Sequence, residues 1–265
     1  NHEEEFMNTI SILAALDENY LPRMQVMLTS LYLNNPGERA DVYLLHSGIP
    51  QEQLAAVKRQ LDFMQYGFYP VPVDKSLFDG APVTKQYPRE MYYRLLGPLW
   101  ETDLRGNLFG AAAHTGMTEL ANRVNRVRLD SGSDYYNSGV LLMDLSAGRR
   151  EIRPEEIFRF VEERGMELLL PDQDLLNALY GRRILPLDDA LWNYDARNYN
   201  NYLLRSGGIC DLDWVMEHTA ILHFCGKAKP WKKGYFYRFG VLYKHYARLT
   251  ARMFPKEEEG EDRED

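Results

Sequence analysis

Cysteine is scarce in this sequence: Cys210 and Cys225 are its only two in 265 residues. Two thiols cannot build a disulfide framework, and neither has the C-x-x-C spacing of redox or zinc chemistry, so both are expected to stay reduced. Long apolar runs are also lacking. Those present, such as Thr219 to Phe224 and Gly139 to Met143, fall far short of the roughly 18–20 residues that a bilayer span requires. Basic charge is in deficit, with a formal net charge of -8. A general nucleic-acid binder, which gains affinity by neutralising phosphates, is thereby disfavoured. The first residues, Asn1 to Met7, carry three glutamates where a secretory signal would have a basic and then an apolar segment. Cytoplasmic residence is the expectation. No internal repeat and no linker signals a second large domain.

What is present is the alternation of an α/β domain. Thr9 to Leu16 and Asp41 to Leu45 read as strands around a helical face of Leu21, Met24, Leu28 and Leu31. A second face, Leu54, Val57, Leu61 and Met64, leads to an extended Phe68 to Val73, whose Pro70 and Pro72 suit an edge strand. Successive βαβ units and a parallel sheet follow. Further along, the sequence predicts a short helix around Glu90 to Leu96 and strands at Asn107 to Ala112 and Ser138 to Asp144. It predicts a helix from Pro154 to Gly165, and another, capped by Asp172, that ends before Gly181. Ile184 to Leu187 and Thr219 to Phe224 complete the strands.

Glycine is missing where a dinucleotide or P-loop fold would need it. The first βα turn reads Ala14-Ala15-Leu16-Asp17-Glu18-Asn19-Tyr20, which speaks against dehydrogenase and NTPase readings. Asp17 and Asn19 have the groups to bond the edge of a base and Tyr20 a face to stack on one, or they cap a helix. Near the other end, His223-Phe224-Cys225-Gly226-Lys227-Ala228-Lys229-Pro230-Trp231 combines a metal-competent imidazole, a glycine turn and two lysines, a set suited to a diphosphate. Taken singly, such a histidine is more often just a satisfied hydrogen-bonder, and only the combination raises the functional reading level with that one. Pro171-Asp172-Gln173-Asp174 puts three polar side chains in one helical turn, as sugar-hydroxyl ligands or as cap. Asn137 is a sugar ligand or a turn residue.

These segments in this order resemble glycosyltransferase family 8, retaining enzymes of GT-A fold that include bacterial lipopolysaccharide galactosyl- and glucosyltransferases and glycogenin. The resemblance is carried by ISILAALDENY (Ile10 to Tyr20), YYRLL (Tyr92 to Leu96), PLWETDL (Pro98 to Leu104), YYNSGVLLMDL (Tyr135 to Leu145), DQDLLN (Asp172 to Asn177) and HFCGKAKPW (His223 to Trp231). It implies a Rossmann-like nucleotide-binding mixed sheet flanked by helices. It also implies that Asp17 and Asn19 read the uracil of UDP-glucose or UDP-galactose, beside Tyr20 as a donor-binding residue, with Arg94, Asn137, Asp172 and Gln173 around the sugar. Gly226 and Lys229 would hold the diphosphate and His223 a manganese or magnesium ion, with Gln173, Asp172 and Lys229 the catalytic set and a glycan or glycolipid the acceptor.

One departure stands out. Family members carry a strand ending in D-x-D between the YYRLL and PLW segments, whereas Leu96-Gly97-Pro98-Leu99 joins them directly here. Asp211-Leu212-Asp213 has the right letters but reads as a loop feature. A family enzyme without that strand would be either a transferase or an inactive nucleotide-sugar binder. The expected division is a GT-A domain over residues 1–226, a basic aromatic segment over 227–256 and a disordered acidic tail over 257–265. The middle segment sets Lys232, Lys233, Arg238, Lys244, Arg248 and Arg252 among aromatics. It suits peripheral contact with the inner face of a membrane, or a terminal helix packed on the domain.

Overall fold

The computed structural model describes residues 9–74, 76, 104–113, 124–125, 127–129 and 133–255. Its first half is a three-stranded parallel sheet of β1 (Ile10–Ala15), β2 (Ala40–His46) and β3 (Gly67–Pro72), with β2 in the middle. Side chains of a strand alternate between faces, so β1 divides its residues between two cores. Ile10, Ile12 and Ala14 meet helices α1 (Leu21–Asn34) and α2 (Gln51–Met64) through Leu28, Val57 and Leu61. Leu13 and Ala15 face the other way, onto Ile157 and Val161 of α4 (Pro154–Arg164) and Leu175 of α5 (Pro171–Tyr180). The predicted helical faces of α1 and α2 are the ones buried, and among the described residues β3 with its prolines is an edge strand, as expected.

β2 is largely buried, but every residue of β1 stays half-exposed. Among the described residues β1 pairs only with β2.

The second sheet centres on β4 (Phe109–Ala112), buried throughout. β5 (Leu141–Met143) runs antiparallel to it and β6 (Ile184–Leu187) parallel, so the architecture is a mixed α/β one with helices on both sides of the sheets. β5 is shorter than the predicted Ser138 to Asp144. Asp144 accepts a hydrogen bond from Ala147 N and caps α3 (Leu145–Glu151), a helix the sequence pattern did not announce. α4 and α5 lie where predicted, each with proline in its first turn. Asp172, however, is not a cap: α5 has no side-chain cap, and the Asp172 carboxylate bonds elsewhere.

The last part holds α6 (Asp189–Trp192), α7 (Tyr199–Arg205) and α8 (Leu212–His218), all unpredicted and short. Between them, β7 (Tyr194–Asp195) pairs with β8 (Leu222–His223), two residues of the longer run expected at Thr219 to Phe224. Asp211 accepts from Trp214 N and caps α8, which accounts for the Asp211-Asp213 pair as local structure. Tyr194 stacks on Tyr202 and, with Phe239, fills the core of this region. α9 (Gly240–Met253) lies on α1, where Thr250 Oγ1 meets Thr29 Oγ1 at 2.9 Å and Asn34 Nδ2 donates to the Tyr246 hydroxyl at 2.8 Å. Among the described residues no helix is long and apolar enough to cross a membrane.

Candidate active site

Three segments far apart in sequence converge at Asn137. Its backbone N donates to the carbonyl of Ala112 at the end of β4, which sets the turn before β5. Asn177 of α5 fixes that turn from behind. Its Oδ1 accepts from Tyr136 N at 2.6 Å and its Nδ2 donates to Tyr136 O at 2.8 Å, so a side-chain amide pairs with backbone as a strand would. Ser138 Oγ then donates to Asp172 Oδ2 at 2.7 Å, and Asn137 Nδ2 donates to Gln173 Oε1 at 3.0 Å.

On its other side Asn137 Oδ1 accepts from Asn193 Nδ2 at 3.1 Å, while Asn193 Oδ1 lies 2.8 Å from His223 Nδ1. An amide oxygen only accepts, so Nδ1 carries the ring proton and Nε2 is the acceptor nitrogen of His223. Four side chains thus form one directional chain: His223 to Asn193 to Asn137 to Gln173. The ring lies so close to Gly139 that a β-carbon there would stand 2.1 Å from Cε1, which explains the glycine.

The structure therefore brings together Asn137, Asp172, Gln173 and His223, four of the candidates named from the sequence. It adds Asn193, buried at the end of α6 and missed because a lone asparagine beside a two-residue strand carries no periodic signal. Asp174 departs from the sugar-ligand reading of its turn. It is wholly buried, and its oxygens accept from Leu169 N, Leu170 N, the Tyr135 hydroxyl and Arg128 Nη2. That carboxylate organises the entry to α5 and has no access to a ligand.

Asp17 orders the turn after β1: its Oδ1 accepts from Tyr20 N at 3.1 Å, and its Oδ2 accepts from Asn19 Nδ2 at 3.3 Å. Tyr20 is exposed and meets Trp231 edge-on, ring centroids 6.0 Å apart. Trp231 also carries the Lys229 ammonium 5.6 Å and the Arg23 guanidinium 5.1 Å from its ring, both in cation–π range. The two ends of the chain therefore meet at this indole. Lys229 Nζ donates to the Phe224 carbonyl at 2.6 Å, and burial lowers its pKa from the usual lysine value. Gly226 has φ +69°, a left-handed turn that favours glycine. Cys225 is buried, and burial with the nearby Asp195 pushes its thiol up to about 12, so it stays neutral. Arg94 lies outside the described residues.

Residues 91–234 match glycosyl transferase family 8. The chain belongs to that family. Its relatives include General stress protein A of Bacillus subtilis (strain 168), 26% identical over 285 aligned positions that take in 94% of this chain and 95% of that one. The lipopolysaccharide 1,2-glucosyltransferase of Escherichia coli (strain K12) is 25% identical over 272, covering 89% and 76%. The fold matches that of the galactosyltransferase LgtC, solved with donor and acceptor sugar analogues, with a TM-score of 0.73 and 23% identity over 91% of this chain and 96% of that one. The chain is thus a glycosyltransferase of GT-A fold. The first alignment runs over 285 positions, 20 more than the 265 residues of this chain, so that family 8 relative has segments lacking here.

Among the described residues no three His, Cys, Asp or Glu side chains group as a metal cage. Among the described residues, the donor set of this site offers a metal one ligand position, His223 Nε2. A divalent cation needs several oxygen donors besides, so no step below is routed through one.

Proposed function

We propose that this family 8 enzyme transfers a hexose, glucose or galactose, from its UDP ester to a hydroxyl of a glycan or glycolipid with retention at the anomeric carbon. The observation that supports it is the bonded chain from His223 to Gln173, with the Tyr20–Trp231–Lys229 cluster on the same strand-end loops. In this reading Asp17 and Asn19 bond the uracil edge and Tyr20 stacks on it, while Asn137, Asp172 and Gln173 hold sugar hydroxyls, with Arg94 beside them. Gly226 and Lys229 receive the diphosphate. His223 Nε2 is the protein nitrogen offered to a manganese or magnesium ion, which when bound would draw charge from the departing phosphate.

The bond from C1 to the β-phosphate oxygen breaks with its electron pair on that oxygen, and Lys229 stabilises the charge that collects there. The acceptor oxygen bonds to C1 on the face just vacated, and its proton passes to the departing diphosphate. Gln173, a poor nucleophile, positions the sugar and does not attack it. Residues 1–226 form the catalytic domain in this reading, and residues 227–256 supply a face for an acceptor at the cytoplasmic side of a membrane. Trp231, Tyr235, Tyr237, Phe239, Tyr243 and Tyr246 are half-buried or buried, Phe236 is exposed, and so are the basic residues among them. That arrangement suits electrostatic contact with anionic lipid, without deep insertion.

A donor panel tests the proposal: UDP-, ADP- and GDP-hexoses with lipid-linked and free glycans, scored for nucleotide release and for the anomeric configuration of the product. Preference for UDP-glucose or UDP-galactose with retention is expected, and preference for GDP-hexoses or inversion would overturn it. A second reading, an inactive nucleotide-sugar-binding protein of the same fold, is favoured by the direct Leu96–Leu99 join and by the half-exposed β1. UDP binding without turnover of any donor, in a protein whose intact mass equals 30.9 kDa, would support that reading instead.

A further inference from the structure

Arg197 is a cation that neither the sequence reading nor the proposed mechanism uses. It follows β7, and Asp195 grips it at two points: Nε donates to Oδ1 at 2.9 Å and Nη2 to Oδ2 at 2.6 Å. This pairing fixes the plane of the guanidinium. Asp195 is itself held. Its Oδ2 accepts from Asn198 Nδ2 at 2.9 Å, and its side chain is only 2% exposed while that of Arg197 is 32% exposed.

The third nitrogen, Nη1, takes no part in that grip and lies over Gly226. A β-carbon at Gly226 would stand 2.1 Å from Nη1, so the glycine is needed for this close approach as well as for its positive φ. Lys229, three residues on, is the second cation of the turn and is placed against the carbonyl of Phe224. Burial, and the like charge of Arg197, both press its pKa downward. Two cations therefore meet at one short turn, Lys229 within it and Arg197 reaching it over Gly226, and the Asp195 carboxylate beside them is engaged by the arginine. A turn so built has cationic hydrogen-bond donors to spare for an anion.

We propose that Arg197 is a second phosphate-binding residue of the donor site, with its Nη1 edge donating to a non-bridging oxygen of the diphosphate. Asp195 holds the fork in plane, and Gly226 leaves the opening through which the edge is reached. The inference rests on the assignment of the 223–231 turn to the diphosphate. It divides the work there: Lys229 supplies a point charge fixed in the loop, and Arg197 a directed donor from the turn after β7. The chemistry recognised is the second phosphate, not the base.

Titration calorimetry of the wild type, Arg197→Gln and Arg197→Lys with UMP and UDP separates the two assignments. In the wild type, tighter binding of UDP than of UMP supports the reading of the turn. Arg197→Gln is expected to weaken UDP by roughly tenfold or more, as loss of a charge-assisted bond does, while UMP changes by less than about threefold. Arg197→Lys should recover part of the UDP affinity, since it keeps the charge without the fork, and it is read in the same way if the glutamine variant fails to fold. Equal weakening of UMP and UDP would mark Arg197 as a strut for the turn and overturn the proposal, as would unchanged UDP binding. A wild type that binds UDP no better than UMP would instead overturn the diphosphate assignment, and Arg197 with it.

Discussion

The sheet of β1, β2 and β3 and the region from Ser133 onward are held together by different forces. Of the ten buried polar or charged side chains among the described residues, only Thr29, His46 and Gln60 belong to the first region. The other seven, Ser138, Asp172, Asp174, Asn177, Asp189, Asn193 and Asp195, belong to the second. The first is an apolar scaffold whose polar contacts are mostly local, such as Thr29 Oγ1 on the Gln25 carbonyl. The second is organised by side-chain hydrogen bonds that run between segments, and the candidate site sits within them. A scaffold of the first kind tolerates change of shape poorly, and a network of the second kind tolerates loss of a partner poorly.

The largest effect is expected where the network has most partners. Asp174→Ala removes a carboxylate that serves two backbone N–H groups, the Tyr135 hydroxyl and Arg128 at 2.7 Å, leaving buried donors unsatisfied and a mostly buried guanidinium without that carboxylate. A loss of about 3–5 kcal/mol in urea unfolding is expected, and less than 1 kcal/mol would show the network to be ornamental. Leu28→Ala probes the other region: Leu28 is fully buried between α1 and the sheet, so about 2–5 kcal/mol of stability should go. UDP affinity of the folded fraction should stay at the wild-type value, and a matching loss of affinity would erase the distinction between scaffold and site.

Lys229→Ala should leave stability nearly unchanged and lower kcat by roughly ten- to a hundredfold, the worth of about 1.5–3 kcal/mol for a charge-assisted contact to the leaving group. Wild-type turnover in this variant would remove Lys229 from the mechanism. The smallest effect is one of pH. Burial lowers the Lys229 pKa below the usual 10.5, so the rate should fall on the alkaline side before that value, and Lys229→Arg should abolish that limb. Stability moves in the opposite sense. Between the lowered pKa and 10.5 the unfolded chain binds more protons, so the Lys229 contribution is fully present above 10.5 and is lost as pH falls through the folded value. Parallel pH–rate and pH–unfolding profiles check both signs.

The same contrast explains what could be read in the sequence. The first region was legible because its order is periodic: Leu54, Val57, Leu61 and Met64 mark a helix face, and the alternation along β1 divides two cores. In the second region the sequence points only to residues inside conspicuous motifs, Asn137, Asp172, Gln173, Gly226, Lys229 and His223. Their mutual contacts depend on β7 and β8, two residues each, too short for any period to register. Asn193 and Arg197 lie in Trp192-Asn193-Tyr194-Asp195-Ala196-Arg197-Asn198. Polar groups dense among aromatics were the available signal there. Asp172 was misread as a cap because a carboxylate in a first helical turn looks the same in sequence whether it bonds its own backbone or Ser138.

The run from His223 through Asn193 and Asn137 to Gln173 has a consequence for protons. Each link is an amide, and an amide passes on direction without passing on hydrogen, because its nitrogen does not give up a proton that its oxygen could take. Turning any one of these groups over would set oxygen against oxygen and nitrogen against nitrogen along the row, so they keep or lose their orientation as a unit. The row is a rigid insulator: it tells Gln173 which way to face and tells His223 which nitrogen to present, and it conducts nothing between them. In the proposed transfer, a hydroxyl that reacts beside Gln173 would not send its proton along the row to His223, and acid at one end of the row should leave the other end undisturbed.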